Sequence, residues 1–560
     1  MKGHHEFKFR FCSPAKAFAI GAIAFFAEAG QAATYYVAPT GSDSGSGSIE
    51  QPFATPQKGI NVAAAGDTIF MRGGTFRINT RILITKAGAA GKPIRWLAYQ
   101  NEKPVIDAAG MTSETHAIMF FSGGNYWHVK GLEVKNGPDG GIAIGDNAHD
   151  ITIEGCDVHH NGRLSTWEGK GFSVLGESYN ILILNNDSHH NYDIPGKGQN
   201  ADGFQIGSSG ANLVVRGNRA WRNSDDGFDA WNGAPTVWED NVAYENGYDD
   251  NLRALANGNG FKLGGHHAGK TSGGHTVRRN VSFKNLSNGF DENSAAKAMT
   301  LVNNTAYANG SYAFWMPDQP SRIRNNLSIQ GKAQVNTADS SSNSWNLNVT
   351  ITDSDFLSMS EAAVRGPRNA DGSINFGNFL HLASGSDLID RGANVGLSFT
   401  GSAPDLGAFE AGSSPAPQPT PVATPPPPVA TPAPTPAPTP VPPTATPRPS
   451  PVPVPGPGAT VGTRFTVVSA TSDGGFAWMV RTDFGTRADS ATRPTRSRLQ
   501  IYENGKALGP AHSIHADIRA KGLGRFSHWN SGSGVTLRFS SSDNSDPRTN
   551  GRIYSFEILP

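Results

Sequence analysis

The chain has 560 residues, too many for one compact core, so two or more folded units are the starting expectation. Its 47 Lys and Arg balance its 47 Asp and Glu, and only 17% of residues are charged. A nucleic-acid partner, which calls for clustered basic charge, is therefore not expected, and any partner has to be read from a local site.

The N-terminus is basic (Lys2, Lys8, Arg10, Lys16), turns apolar from Ala17 to Phe26 and reaches small residues at Gly30-Gln-Ala-Ala33. This pattern predicts a signal peptide over 1–33. The apolar run is shorter than the ~20 residues a membrane span needs, and no later run supplies one. A secreted, monomeric protein with no membrane partner is expected, in the medium or the periplasm. Cys12 would leave with the signal, so Cys156 stands alone as a structural thiol and no disulfide framework is expected.

Tyr35-Tyr-Val-Ala-Pro-Thr-Gly and Gly66-Asp-Thr-Ile-Phe flank Pro56–Ala65, read as a short helix that caps the open end of a repeat array. From residue 155 the sequence repeats itself: GCDVHHN, NNDSHHN, GNRAWRN, DNVAYEN, RNVSFKN and NNTAYAN. Their last asparagines are 161, 191, 223, 246, 285 and 309, at intervals of 30, 32, 23, 39 and 24 residues. Short β-rich runs precede each copy and no helical period intervenes, which predicts an all-β parallel β-helix of about 8–10 coils. The second positions, Asn186, Asn218, Asn241, Asn280, Asn304 and Asn326, with Cys156 below, are expected to stack as an internal amide ladder. Stacked amides can satisfy backbone groups of the turns.

A second string recurs beyond each ladder: KGFSV, DGFQI, DGFDA, NGFKL and NGFDE, starting at 170, 202, 226, 259 and 288. Between ladder asparagine and string glycine the count is 10, 12, 4, 14 and 4 residues, so insertions gather at one corner, where repeat proteins often build a binding face. The coils are expected to fade near residue 350, with Leu388 to Glu410 closing the far end of a domain spanning 34–412. Residues 413–458 hold more than half of the 38 prolines and read as an extended linker. Residues 459–560 alternate strand-like runs with turn signals and read as a separate β-sandwich-like domain. Its 13 Lys and Arg against 8 Asp and Glu, with Trp478, Tyr502, Phe526 and Trp529, suggest a carbohydrate-binding module, unless those aromatics form its core.

One residue past each string phenylalanine stand Ser173, Gln205, Asp229, Lys262 and Asp291. If Phe points inward, its successor points outward, and coils ~4.8 Å apart should place Lys262 directly above Asp229. Asp225 and Asp226 occupy the tight turn beside them and Asp202 lies one coil below, although simple alternation would turn Asp202 inward. Four carboxylates at one patch call for a cation, and hard oxygen ligands favour Ca²⁺. Such an ion can neutralise a uronate carboxylate and acidify the proton beside it, while disfavouring the ammonium of a lysine base.

At Asn200-Ala-Asp-Gly-Phe204, Asn223-Ser-Asp-Asp-Gly-Phe-Asp229 and Asn257-Gly-Asn-Gly-Phe-Lys-Leu-Gly-Gly265 the chain resembles the family 9 polysaccharide lyases, over about residues 34–410. The resemblance implies a right-handed β-helix and calcium-dependent pectate lyase activity. It implies Asp202, Asp225, Asp226 and Asp229 as calcium ligands and Lys262 as the base that takes the C5 proton of polygalacturonate. Arg222, Arg253, His266, His267, Lys270 and Lys297 lie in stretches suited to binding substrate carboxylates, or are ordinary surface charges. His159-His160 and His189-His190 look like paired metal ligands but sit at repeat-matched wall positions. Two other readings stand beside the lyase. One is a hydrolase of the polygalacturonase type, whose Asn-Thr-Asp, Gly-His-Gly and Arg-Ile-Lys strings are missing. The other is a non-catalytic, calcium-stabilised, polysaccharide-binding solenoid.

Overall fold

The computed structural model describes residues 32–412 except 114, 269, 270 and 337, and residues 464–558 except 467–469, 474–475, 482–487, 490–494, 496, 531–534, 548–549, 551 and 553. The expected signal segment, apart from its last two residues, and the whole proline-rich linker lie outside the described residues. Two compact units divide at 424/425.

In the first unit three parallel sheets, of 12, 10 and 10 strands, wind into a solenoid in which each strand pairs with its counterpart one coil on. The string phenylalanines all point inward: Phe172, Phe204, Phe228, Phe261 and Phe290, with Phe314 one coil further on, are fully buried and stack face to face at 4.6–4.9 Å. Strand alternation therefore turns their successors outward, and the register pairs Ser173 with Gln205, Gln205 with Asp229, Asp229 with Lys262 and Lys262 with Asp291.

The predicted amide ladder is present and one rung longer. Cys156 N–H donates to Asn186 Oδ1, and the same step repeats through Asn218, Asn241, Asn280, Asn304 and Asn326 to Asn343, at 2.8–3.1 Å. The final asparagines, read from sequence only as spacing marks, form a second ladder: Asn161, Asn191, Asn223, Asn246, Asn285 and Asn309 cap one another at 3.1–3.3 Å. The residue just before each of these asparagines is left-handed (His160, His190, Arg222, Glu245, Lys284, Ala308, φ 50–56°), which turns the chain sharply at that corner. The ladder supplies the partners that the turned backbone would otherwise lack. Cys156 is buried, and burial pushes its thiol up to about 12, so it is an inert member of the stack.

Helix Pro56–Val62 caps the start. Thr55 accepts from Lys58 N–H, Gly59 packs so closely that a Cβ would meet Val37 and Ile69 at 3.0 Å, and Ile60 joins the core. The far end differs from expectation. Trp345 packs against Phe314 there, while Phe356 to Leu406 run back along the flank over Val242, Tyr244, Val281, Phe283, Leu327 and Ile329. These outward side chains of the third sheet are apolar, so this flank needs a cover. Buried charges tie the cover down: Arg368 and Arg219 both pair with Asp187 at 2.7 Å, and Arg219 also donates to the carbonyls of Val364 and Gly366.

The second unit contains two four-stranded antiparallel sheets and a short helix, His515–Ala520. Trp478 and Phe526 belong to its core with Leu499, Ile501, Leu537, Phe539, Tyr554 and Phe556, so these two are not sugar-facing. Tyr502 donates to Glu557, and Trp529 is half-buried against the His515 ring. Among the described residues no helix is long and apolar enough to cross a membrane.

Candidate active site

The first letters of the recurring string form a third ladder, at the corner where the insertions gather. Asp202 Oδ1 accepts from Asp226 N–H at 3.2 Å, Asp226 Oδ1 from Asn259 N–H at 2.7 Å, Asn259 Oδ1 from Asn288 N–H, and Asn288 Oδ1 from Tyr312 N–H, the last two at 3.0 Å. This resolves the orientation of Asp202. It belongs to the corner rather than the strand, so alternation does not turn it into the core, although it is buried.

Asp202, Asp226 and Asp229 each offer a carboxylate oxygen, all within 4.8 Å of one another. Lys262 Nζ bridges two of them, donating to Asp226 Oδ2 at 2.9 Å and Asp229 Oδ2 at 3.2 Å. The other oxygen of Asp229 caps Trp231 N–H at 2.7 Å. Asp225, 3% exposed, falls outside that group of three but interacts electrostatically with it, and its Oδ1 is buried without a hydrogen-bond partner. Burial together with Asp229 and Asp225 pushes the Asp202 carboxyl well above its usual range, and burial together with Asp226 does the same to Asp225. Burial also raises Asp229 despite its lysine.

For Lys262, burial alone would favour the neutral amine, but Asp226, Asp229, Asp202 and Asp225 outweigh it and hold the ammonium well above its ordinary range. With the carboxylates alone around it, the lysine thus holds its proton too tightly to be an activated base. The donor set is all oxygen, crowded, buried and short of positive charge, with one orphaned oxygen. That chemistry fits a hard divalent cation.

Two neighbours were not singled out from sequence. Lys170 occupies the corner-ladder slot below Asp202, is 3% exposed and pairs with Glu168 at 3.1 Å. Burial works against its charge, yet Glu168, Asp202 and Asp229 hold it raised. The string KGFSV carries that lysine in its first letter, a signal that could have placed it. Trp231, two residues beyond Asp229, is half-buried with its ring 5.8 Å from Lys262 Nζ and edge-on to His267.

The predicted substrate cations divide. Arg222 is already engaged by Glu245 and Asp250, both at 3.0 Å, so its charge is not free for a substrate. Arg253 is exposed on the 247–259 insertion, His266 is half-buried with Nδ1 lacking a partner, and His267 and Lys297 are exposed. Lys270 lies outside the described residues.

A family model described as "Pel9A-like, right handed beta helix region" matches residues 35–326. Pectate lyase L of Dickeya chrysanthemi is 37% identical over 395 residues, covering 67% of this chain and 90% of that protein. Pectate lyase PEL9 of Emericella nidulans is 32% identical over 398 residues, covering 64% of this chain and 94% of its own. The crystal structure of pectate lyase Pel9A matches with a TM-score of 0.61 at 32% identity, over 68% of this chain and 96% of that one. Fold and family together define a polysaccharide lyase built on a right-handed parallel β-helix. The chain belongs to polysaccharide lyase family 9, the Pel9A-like family.

Proposed function

We propose that the protein is an exported pectate lyase that cleaves polygalacturonate by calcium-assisted β-elimination, with Lys262 as the base. The observation that carries this reading is the register: Lys262 stands directly over Asp229, and its Nζ is held by Asp226 and Asp229 at 2.9 and 3.2 Å. Asp202, Asp225, Asp226 and Asp229 would hold the calcium. When bound, the ion would neutralise the cluster and the C6 carboxylate of a galacturonate, raising the acidity of its C5 proton.

Lys262 has to be an amine to act. Once positive charge engages its four carboxylates, burial becomes the dominant influence on Nζ and favours the neutral form. Nζ then takes the C5 proton, the electron pair forms the C4–C5 double bond, and the C4–O4 bond breaks. The leaving chain departs with O4, which takes a proton from solvent water, and a 4,5-unsaturated end remains. Phe261, locked in the inner stack, fixes the backbone that presents the lysine. We assign the half-buried ring of Trp231 and the unpartnered Nδ1 of His266 to substrate contact, with Arg253 and Lys297 as exposed cations for carboxylates farther along the polymer.

The test is ultraviolet absorbance during incubation with polygalacturonate. Wild-type protein with calcium should generate the conjugated product, and chelator or Lys262→Ala should abolish it. Full activity in Lys262→Ala would remove the lysine from the reaction. Reducing ends released without absorbance would indicate hydrolysis instead.

A further inference from the structure

We propose that His159, His160, His189 and His190 form a second metal site, for a zinc-class transition-metal ion, on the outer wall of the solenoid and separate from the acidic cluster. His159 and His189 are register partners on adjacent coils, with rings parallel at 4.8 Å. His160 and His190 occupy the left-handed slot before the ladder asparagine, and that turn lays their rings parallel at 5.2 Å beside the first two. Within each pair the Nδ1 atoms lie 2.6 Å apart. Ring nitrogens of His159, His160 and His189 all fall within 4.8 Å of one another.

The outer nitrogens decide what the inner ones can be. His189 Nε2 lies 3.0 Å from Asp157 Oδ1, and His190 Nε2 lies 2.7 Å from Asp250 Oδ1. A carboxylate only accepts, so both Nε2 atoms carry hydrogen, and in the neutral rings both Nδ1 atoms present lone pairs to each other. Two lone pairs at 2.6 Å need a shared cation between them. A metal ion resolves the conflict and uses the lone pairs as they are aimed.

The surroundings match such an ion. His159 Nε2 faces Glu133 at 3.4 Å, so three of the four histidines have a carboxylate on the nitrogen away from the centre. That is how metal-bound imidazoles are usually oriented. Imidazole nitrogen suits zinc, copper or nickel, whereas the all-oxygen cluster suits calcium, so ligand chemistry alone would sort the two kinds of ion. At metal–nitrogen distances of ~2.0–2.1 Å the Nδ1 atoms must part to roughly 3.3 Å, a small rotation of exposed or half-exposed rings. The ion would clip two successive coils and, through Asp250, fasten the 247–259 insertion to the wall.

The experiment is calorimetric titration of zinc into chelator-stripped, tag-free full-length protein held in calcium, beside the His189→Gln/His190→Gln double variant and Asp250→Asn. Wild type should bind a zinc equivalent that the double variant lacks, while both cleave polygalacturonate at the same rate. Asp250→Asn should weaken binding by roughly 10- to 100-fold. Equal zinc binding by wild type and the double variant, or none by wild type, overturns the proposal. Should the double variant not fold, Asp250→Asn, at an exposed position, decides: unchanged affinity overturns the site.

Discussion

Asp226 does two things with two oxygens. Oδ1 takes the place of a ladder amide oxygen, accepting from Asn259, and Oδ2 faces Lys262. Asp226→Asn should therefore keep the ladder acceptor and the fold, with an unchanged circular dichroism spectrum, while elimination falls and more calcium is needed for half-maximal rate. Lys262→Arg preserves charge but cannot serve as a base near neutral pH, and its elimination rate should drop by about 10²–10⁴-fold. The carboxylates at Asp202 and Asp225 have raised pKa values, so in the absence of a cation their effect on stability is favourable in acid and is lost as pH rises past the ordinary carboxylate range. Chelator should accordingly lower the melting temperature more at pH 8 than at pH 5. The register of Asp229 and Lys262 was legible in the sequence because strand alternation is a strict period of two. The placement of Asp202 and Lys170 was not, because corner residues obey the ladder rather than the alternation.

The coil is held by stacked identical side chains, and each ladder residue serves two neighbours. Asn241 Oδ1 caps Asn218 N–H while its Nδ2 donates to Val215 O and Asn280 Oδ1. Asn241→Ala orphans buried groups on adjacent coils and should cost about 2–4 kcal/mol in urea unfolding. Phe228→Ala, in the middle of the inner stack, should cost about 3–5 kcal/mol. The sequence exposed one ladder clearly because its asparagines opened the repeat. The second was equally visible as letters, yet nothing in a spacing says whether a side chain points to solvent or along the solenoid axis.

At the scale of the whole chain, the flank cover explains a cost that the repeats alone conceal: in its later coils the third sheet is apolar on its outside, at Val242, Tyr244, Val281, Phe283, Leu327 and Ile329. Its anchor is titratable. Arg368 and Arg219 outweigh burial and hold Asp187 near 2, so its stabilisation is present above the ordinary carboxylate range and is lost as pH falls towards 2. The stability gap between wild type and Asp187→Asn, roughly 2–3 kcal/mol at neutral pH, should narrow as pH falls from 5 towards 2. The sequence places the Leu388–Glu410 segment at an end of the solenoid, because the apolar spacing of the third sheet does not reveal that the outer face of its later coils needs covering. The second unit has its own core, so removal of residues 413–560 should leave the elimination rate on soluble polygalacturonate unchanged.

The corner ladder runs Asp202, Asp226, Asn259, Asn288, and carboxylate and amide occupy the same slot with the same acceptor geometry. Exchanging one for the other replaces an amino group with a charged oxygen and leaves the scaffold in place. Ligand sites in this architecture are therefore transposable. Asn259→Asp would carry the acidic patch one coil further, giving such solenoids a way to slide a cleft along a polymer-binding face without building a new fold.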